Sequence, residues 1–408
     1  MKKLIKFICF ALSVSAAALY IFAFSIASLL PDTFLVTKGE KLTVSGMPFI
    51  TAKAVLPDDS VAALKSTASE NIKLTIGGVL PVKTVRTRQV NRRVVTVCGT
   101  PFGIKMFANG AMIVSFSDIY TKNGYVNPAK MAGLRIGDVI TSVAGQKTKT
   151  NEDVARSINK LAGAPAQIEY IREGKEGYTV ITAVIDMAAD TYRTGMWVRD
   201  SSAGIGTLTF VDNTQGVFAG LGHPIHDVDT GLTIGLDKGE IVNVNINGCT
   251  RSETGTPGEL KGQFVSPIAI GSILENGDTG VYGDMYAYHK GMDMELALPQ
   301  EVHSGAAQLI TTINGNEACA YSVNIEKISL HDDKENNRNM VIHITDERLL
   351  NATGGIVQGM SGSPIVQDGC IVGAVTHVLV GDPTRGYAIF AKTMLSTADA
   401  IAVTDNAA

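Results

Sequence analysis

The stretch GMSGSPIVQDGCIVGAVTHVLVGDPTRGYAIF, residues 359–390, decides how the rest of the chain is read. It opens on a glycine turn, enters a short apolar run, turns at Asp368-Gly369 and continues through two further apolar runs. Asp-Gly between such runs is a strong hairpin signal. Two serines stand in the opening turn. Ser363 precedes Pro364, whose ring pushes its neighbour toward extended backbone, so Ser363 is expected to begin the strand. Ser361 lies between Met360 and Gly362, with Gly359 two residues back. Glycines there permit a tight turn that thrusts a hydroxyl outward. The same turn aims the N–H groups of Gly359 and Ser361 at one point, as an oxyanion hole requires. Ser361 is the candidate nucleophile; a plain glycine turn joining two strands is the competing reading.

A serine hydroxyl is a poor nucleophile unless an imidazole takes its proton, and a carboxylate usually orients that imidazole. All seven histidines lie in the last half of the chain. His289, His303 and His331 stand in polar stretches typical of exposed loops. His223, in FAGLGHPIHDVDTG (218–231), follows an apolar run and sits between Gly222 and Pro224, at a strand end from which a side chain can project into a cleft. The same segment also offers His223, His226, Asp227 and Asp229 as a metal cluster. His-x-x-His-Asp on a loop lacks the helical spacing that holds two ligands on one face, so neither a metal nor another cofactor is expected. The candidate carboxylate is Asp346, in NMVIHITDERLLNATGG (339–355). Asp before ERLL is equally a good helix N-cap. The chain order His, Asp, Ser is one of several in which this catalytic geometry recurs.

Composition bounds the alternatives. The 408 residues are 45% apolar and 18% charged, enough for two or three packed domains. The net charge of −4 comes without a basic block, which argues against a nucleic-acid partner. The N-terminus, MKKLIKFICFALSVSAAALYIFAFSIASLL, has Lys2, Lys3 and Lys6 and then no charge from Phe7 to Leu30. That run is long enough to span a bilayer, with the lysines on the cytoplasmic side. A cleavable signal peptide is the rival reading, with a small-x-small site at Ser25 and Ala27, but the run is long for one. Residues 1–30 are read as the anchor, and 31 onward as lying across the membrane. The five cysteines are scattered, with no metal-ligand spacing and no framework of disulfides.

Residues 31–97 alternate in short strand-like runs, interrupted by LPDDSVAALKSTASENIK (56–73), a linker or solvated helix. Residues 98–186 are more specific. NPAKMAGLRIGDVITSVAGQKTKTNEDVARSINKL (127–161) orders a short helix, a Gly-Asp turn, a strand, a hairpin and a second helix. That segment resembles a PDZ domain. Such domains bind an extended peptide by strand addition and capture a terminal carboxylate on a glycine loop. By this resemblance Phe102, Gly103, Ile104 and Lys105, in TPFGIKMF, would form that loop.

From about residue 191 to 408 the chain is glycine-rich and short-stranded, as in a β-barrel or sandwich. After Ser361 the order of elements resembles that of chymotrypsin-like barrels, which places Thr376, His377 and Val378 on the edge strand that pairs with substrate. Met360 departs from that pattern: an aspartate there would capture a freed N-terminus. The motifs WVRDSSAGIGTLTF (197–210), GLGHPI (220–225), VIHITDERLLNATGGIVQGMSGSPIV (341–366) and GAVTHVLVGDPTRGYAIF (373–390) together resemble the SpoIVB-type serine peptidases, family S55, of endospore-forming bacteria. The resemblance implies a mainly β protein: a transmembrane helix, an α+β PDZ domain and a chymotrypsin-like double barrel. It implies His223, Asp346 and Ser361 as the triad. It also implies export across the inner forespore membrane into the intermembrane space. The implied substrates are the chain itself, near its N-terminus, and a membrane-bound regulator of the intramembrane protease that processes pro-sigma-K. A catalytically idle PDZ scaffold docking membrane partners is the alternative from another class.

Overall fold

A computed structural model describes residues 2–54, 69–227, 229–233, 236–289, 291–331 and 338–405. The uncharged N-terminal run forms helix α1 (Lys2–Leu29), 28 residues and so about 42 Å long, enough to cross a membrane. Its last turn is tied to the domain that follows. Ile26 and Leu30 are buried with Phe34, Leu74 and Val85, Lys83 Nζ donates to Leu30 O (2.5 Å), and His331 bonds Ser28 O. That domain is a four-stranded sheet of β1 (Thr33–Thr37), β2 (Ile50–Ala54), β3 (Ser69–Ile76) and β4 (Leu80–Val90), in the order β1-β4-β3-β2 with β1 parallel to β4. The linker or helix expected over 56–73 lies outside the described residues up to 68; from Ser69 it is strand β3.

The next part of the chain departs from the boundaries read off the sequence. The first half of β6 (Pro101–Phe116), which follows the short strand β5 (Val94–Val97), belongs to a β-barrel whose remaining strands come some hundred residues later. Those strands are β15 (Met196–Asp212), β16 (Val217–Gly220), β17 (Lys238–Thr250), β18 (Glu259–Gly277) and β19 (Gly280–Met285). Antiparallel pairings run β6–β17–β18–β19–β16–β15 and back to β6, closing a ring of strands. Its core holds Phe102, Ile104, Met106, Leu208, Phe218 and Ile241.

Between the two halves of the β6–β15 ribbon the chain inserts β7 (Ile119–Thr121), β8 (Gly124–Val126), α2 (Pro128–Met131), β9 (Val139–Val143), β10 (Gln146–Lys147), α3 (Asn151–Lys160), β11 (Pro165–Arg172), β12 (Lys175–Thr182), β13 (Val184–Asp186) and β14 (Thr191–Arg193). Local chemistry sets these helices. Asn127 caps α2 ahead of Pro128, and Thr150 with Asp153 makes a capping box on α3. The far half of the ribbon joins their sheet, in the order β12-β11-β9-β6-β15, with Val154 and Ile158 of α3 packed against it. This PDZ arrangement is therefore set into a barrel hairpin, not placed before the barrel. Register shifts in the ribbon between Arg199 and Ser201 mark the passage from one domain to the other.

The second barrel closes in the order β21-β22-β23-β26-β25-β24, from β20 (Met292–Glu295, paired with β5) through β21 (Gly305–Thr311), β22 (Cys319–Ile328), β23 (Met340–Ile344), β24 (Pro364–Gln367), β25 (Cys370–Val378) and β26 (Arg385–Phe390). α4 (Glu347–Thr353) leads from β23 to the serine turn, and α5 (Ala391–Asp405) covers the outside of β25. The continuous apolar run of β25 follows from burial on both faces. Val372 and Val375 enter the barrel core, while Ile371 and Ala374 pack with Met394 and Leu395 of α5.

Candidate active site

The serine turn is held from both barrels. Gly359 and Gly362 adopt φ of +95° and +92°, which disfavours any residue with a Cβ. A side chain at Gly362 would also collide with Thr207 O and the backbone of Leu221. From β15, Thr207 Oγ1 donates to Gly359 O (2.8 Å), Thr207 N–H to Ser361 O (3.1 Å) and Thr209 Oγ1 to Gly362 O (2.7 Å). Met360 is fully buried in the second-barrel core. Ser363 is buried too, its Oγ donating to Thr311 Oγ1 (2.9 Å), so its hydroxyl serves packing. Ser361 faces the cleft. Its Oγ donates to Thr376 O at 2.8 Å. Among the described residues, the N–H groups of Gly359 and Ser361 have no hydrogen-bond partner. Two unpaired donors flanking a hydroxyl can receive an oxyanion.

His223 enters the same cleft, of about 470 Å3, from the end of β16. Leu221 takes φ of +66°, rare for a branched side chain, and Gly222 takes +72°; this paired left-handed step swings the chain out of the strand. His223 Nδ1 lies 2.8 Å from Pro224 O, so a proton on Nδ1 donates there and leaves Nε2 as the free base. Burial pulls the imidazole below its ordinary pKa, and neighbouring His226 pulls the same way. His377 stacks on His223 with ring centroids 4.9 Å apart, and burial lowers its pKa to about 4. Both rings are thus held neutral near pH 7. Thr376, His377 and Val378 form one wall. On one side His377 and Val378 pair with Tyr387 and Gly386 of β26, while pairing with β24 ends at Ala374, so their other edge faces the cleft.

Asp346 is elsewhere. It caps α4, accepting from Arg348 N–H (3.0 Å), while its oxygens also accept from Ser322 N–H (3.1 Å) and from the Arg348 guanidinium (2.8 Å). Arg348 holds the carboxyl well below the usual carboxylate range. Among the described residues, neither Asp346 nor any other carboxylate lines the cleft. The capping role, not the orienting one, is what the second barrel imposes. The orienting contact on His223 Nδ1 comes instead from a backbone carbonyl. Thr376, expected on the edge strand, also holds a buried Oγ1 beside Gly222 that has no partner among the described residues, a detail the sequence does not signal. Asp227 and Asp229, in the metal-like segment, are both paired with Arg199 from β15 (2.7 and 2.5 Å).

The loop assigned to Phe102–Lys105 needs the same correction. These residues lie near the start of strand β6 within the first barrel, with Phe102 and Ile104 buried in its core and Lys105 over the Phe264 ring at 5.6 Å. Strand alternation in PFGIKMF was the available signal. The groove of the PDZ unit lies instead between α3 and β14–β15, about 690 Å3, beside Thr194, Gly195, Met196 and Trp197. There β15 pairs with β6 alone among the described residues, leaving its outer edge toward α3.

Comparison with known proteins adds three findings. The model of a protein family described as SpoIVB peptidase S55 matches residues 190–395. The PDZ domain of an SdrC-like protein from Listeria monocytogenes is 24% identical over 22% of this chain and 87% of that one, with a TM-score of 0.18. The HtrA-type protease AlgW with a decapeptide is 13% identical over 50% of this chain and 53% of its own, with a TM-score of 0.31. No curated protein matches.

Proposed function

Because this chain belongs to the SpoIVB peptidase S55 family, we propose that it is a membrane-tethered serine endopeptidase working through Ser361 and His223. One observation carries the reading: a hydroxyl flanked by two N–H groups unpaired among the described residues shares a cleft with a neutral imidazole whose Nε2 has no partner among them. An incoming substrate strand lies along the edge of Thr376–Val378. Its N–H takes over Thr376 O, releasing the Ser361 hydroxyl to turn toward His223 Nε2. Nε2 accepts that proton as Oγ attacks the carbonyl carbon, and the oxyanion falls to the N–H groups of Gly359 and Ser361. The imidazolium then gives the proton to the leaving amine as the C–N bond breaks, and a water deprotonated by the same Nε2 hydrolyses the acyl-serine, returning the proton to Ser361 Oγ. The carbonyl of Pro224 holds the ring through Nδ1 in both states.

The helix stays attached in this reading, since Ile26 and Leu30 are part of the core of the β1–β4 domain. The family match supports the biological assignment as well. The peptidase acts in the space between the forespore membranes, on itself and on a membrane-bound regulator of the protease that processes pro-sigma-K. The PDZ groove beside Gly195 receives an extended peptide. The test is to treat full-length protein in detergent with a fluorophosphonate probe, then incubate it with its Ser361→Ala form and map the cuts by mass spectrometry. Labelling at Ser361 and cuts in the inactive partner are expected. A folded protein that neither labels nor cuts is the scaffold, not the enzyme.

A further inference from the structure

We propose that the outer edge of β15 is a continuous substrate track joining the cleft to the PDZ groove, so that the peptidase cuts about ten to twelve residues before a chain end held beside Gly195. The inference rests on the peptidase reading above and adds what places the cut. β15 serves both sites. Met196, Trp197 and Val198, at its start, wall the groove, and Ser202, Gly204 and Ile205, further on, wall the cleft. Along its inner side β15 pairs with β6 from Met196 to Thr207. On its outer side pairing begins only at Leu208, with β16, and before that no strand among the described residues covers the edge.

Alternation along the strand shows what this edge offers. Thr207 N–H donates to Ser361 O (3.1 Å) and Thr207 O accepts from Leu221 N–H (3.4 Å), so both face away from β6. No register shift intervenes between Ser201 and Thr207. Ile205 and Ala203, two and four residues back, therefore turn their N–H and C=O outward as well. None of these four groups has a partner among the described residues. Natural sheets guard such an edge with charge, proline or a covering element. Residues 201–206 contain no charge and no proline; Ser201, Ala203 and Gly204 are exposed, and a Cβ on Gly204 would meet nothing. The charges just before them are engaged, Arg199 with Asp227 and Asp229, and Asp200 Oδ2 with the N–H of Asn151 (3.1 Å). Asn151 begins α3, so the groove opens there onto the bare stretch.

The groove also sets direction. At Gly195, where φ is +81°, the N–H groups of Thr194 and Gly195 have no partner among the described residues. A terminal carboxylate received there ends a chain that runs antiparallel to β15. Its earlier residues then lie beside Ala203 and Ile205, its scissile carbonyl reaches Ser361, and its acyl side continues onto the edge of Thr376 and Val378. From Gly195 to Gly206 the strand covers about 36 Å at roughly 3.3 Å per residue, which an extended chain matches with about ten to twelve residues.

The experiment uses full-length protein in detergent and a pool of random-sequence peptides, each about 25 residues long and ending in valine, with cuts read by mass spectrometry as distance from the chain end. Cuts about ten to twelve residues before the end should exceed nearer ones at least ~10-fold, and amidating the terminus should remove the excess. In Ala203→Pro the ring removes one outward N–H and leaves the β6 ladder whole, so the excess should vanish at wild-type Tm. Fluorophosphonate labelling of Ser361 with cuts spread evenly along the peptides overturns the track and leaves the peptidase reading standing. An excess that survives amidation overturns the anchoring at Gly195, and one that survives Ala203→Pro overturns the path along β15. Failure to label overturns the peptidase reading, and this inference with it.

Discussion

Replacing Asp346 by asparagine separates two chemistries that the linear motif leaves superimposed. As the orienting carboxylate of a triad, its loss to an amide would cost about 10⁴-fold in kcat, because the imidazole would be held in the wrong tautomer. The structure gives it different work. Asp346 accepts the first-turn N–H of Arg348 and the N–H of Ser322, and an asparagine Oδ1 caps a helix as well as a carboxylate does. The ion pair that would be lost involves an Arg348 side chain 70% exposed, where water screens most of its value. Asp346→Asn should therefore keep kcat/KM within ~3-fold. Asp346→Ala removes the cap and should cost about 1 kcal/mol, or ~2–4 °C in Tm for a domain of this size. The assay pairs fluorophosphonate labelling rates with thermal unfolding for wild type, both Asp346 variants and His223→Ala. His223→Ala should lose several orders of magnitude at unchanged Tm. If Asp346→Asn loses ~10³-fold or more at wild-type Tm, the carboxylate does reach His223 during turnover and the account of a backbone-oriented histidine is wrong.

Three further outcomes follow from the same geometry. Ser361→Ala should abolish labelling and self-cleavage, whereas Ser363→Ala should keep activity but lose about 1 kcal/mol of stability, because Thr311 Oγ1 loses its buried partner; urea melts and labelling measured side by side check both. Gly103→Val should destabilise the first barrel, since a Cβ there meets Val242 Cγ2 at 2.8 Å and the Phe264 ring, so activity and Tm should fall together; selective loss of peptide recognition with an intact Tm would restore Gly103 to a binding loop. His223 must be neutral to act and its pKa is lowered by burial, so kcat/KM should hold through neutrality and fall only below pH 6.5. Stability should follow the same sign: the unfolded chain protonates His377 near 6.5 while the folded chain resists until about 4, so the contribution present above 6.5 is lost as pH falls across that window. An acid limb with its midpoint at or above 6.5 would contradict the burial of the site.

The features legible in the sequence are local in their physics. The glycine spacing and Pro364 distinguish Ser361 from Ser363 because they act on the backbone within a residue or two. The uncharged run to Leu30 has the length of a bilayer, and NPAKMAGLRIGD carries its own cap and turn signals. The place of His223 at a strand end was legible because Gly222 and Pro224 leave few conformations after an apolar run. Tertiary structure decided the rest. Alternation in PFGIKMF is that of a strand, but nothing in it states that Gly103 pairs with Ile205 on the far side of an inserted domain. Strand pairing is made by backbone N–H and C=O groups that every residue shares, so its partners carry no residue signature. Asp346 shows the same limit from the side-chain end. Chain order allows a carboxylate between histidine and serine to meet either, and only the closure of the second barrel turns it toward Arg348 and Ser322 instead.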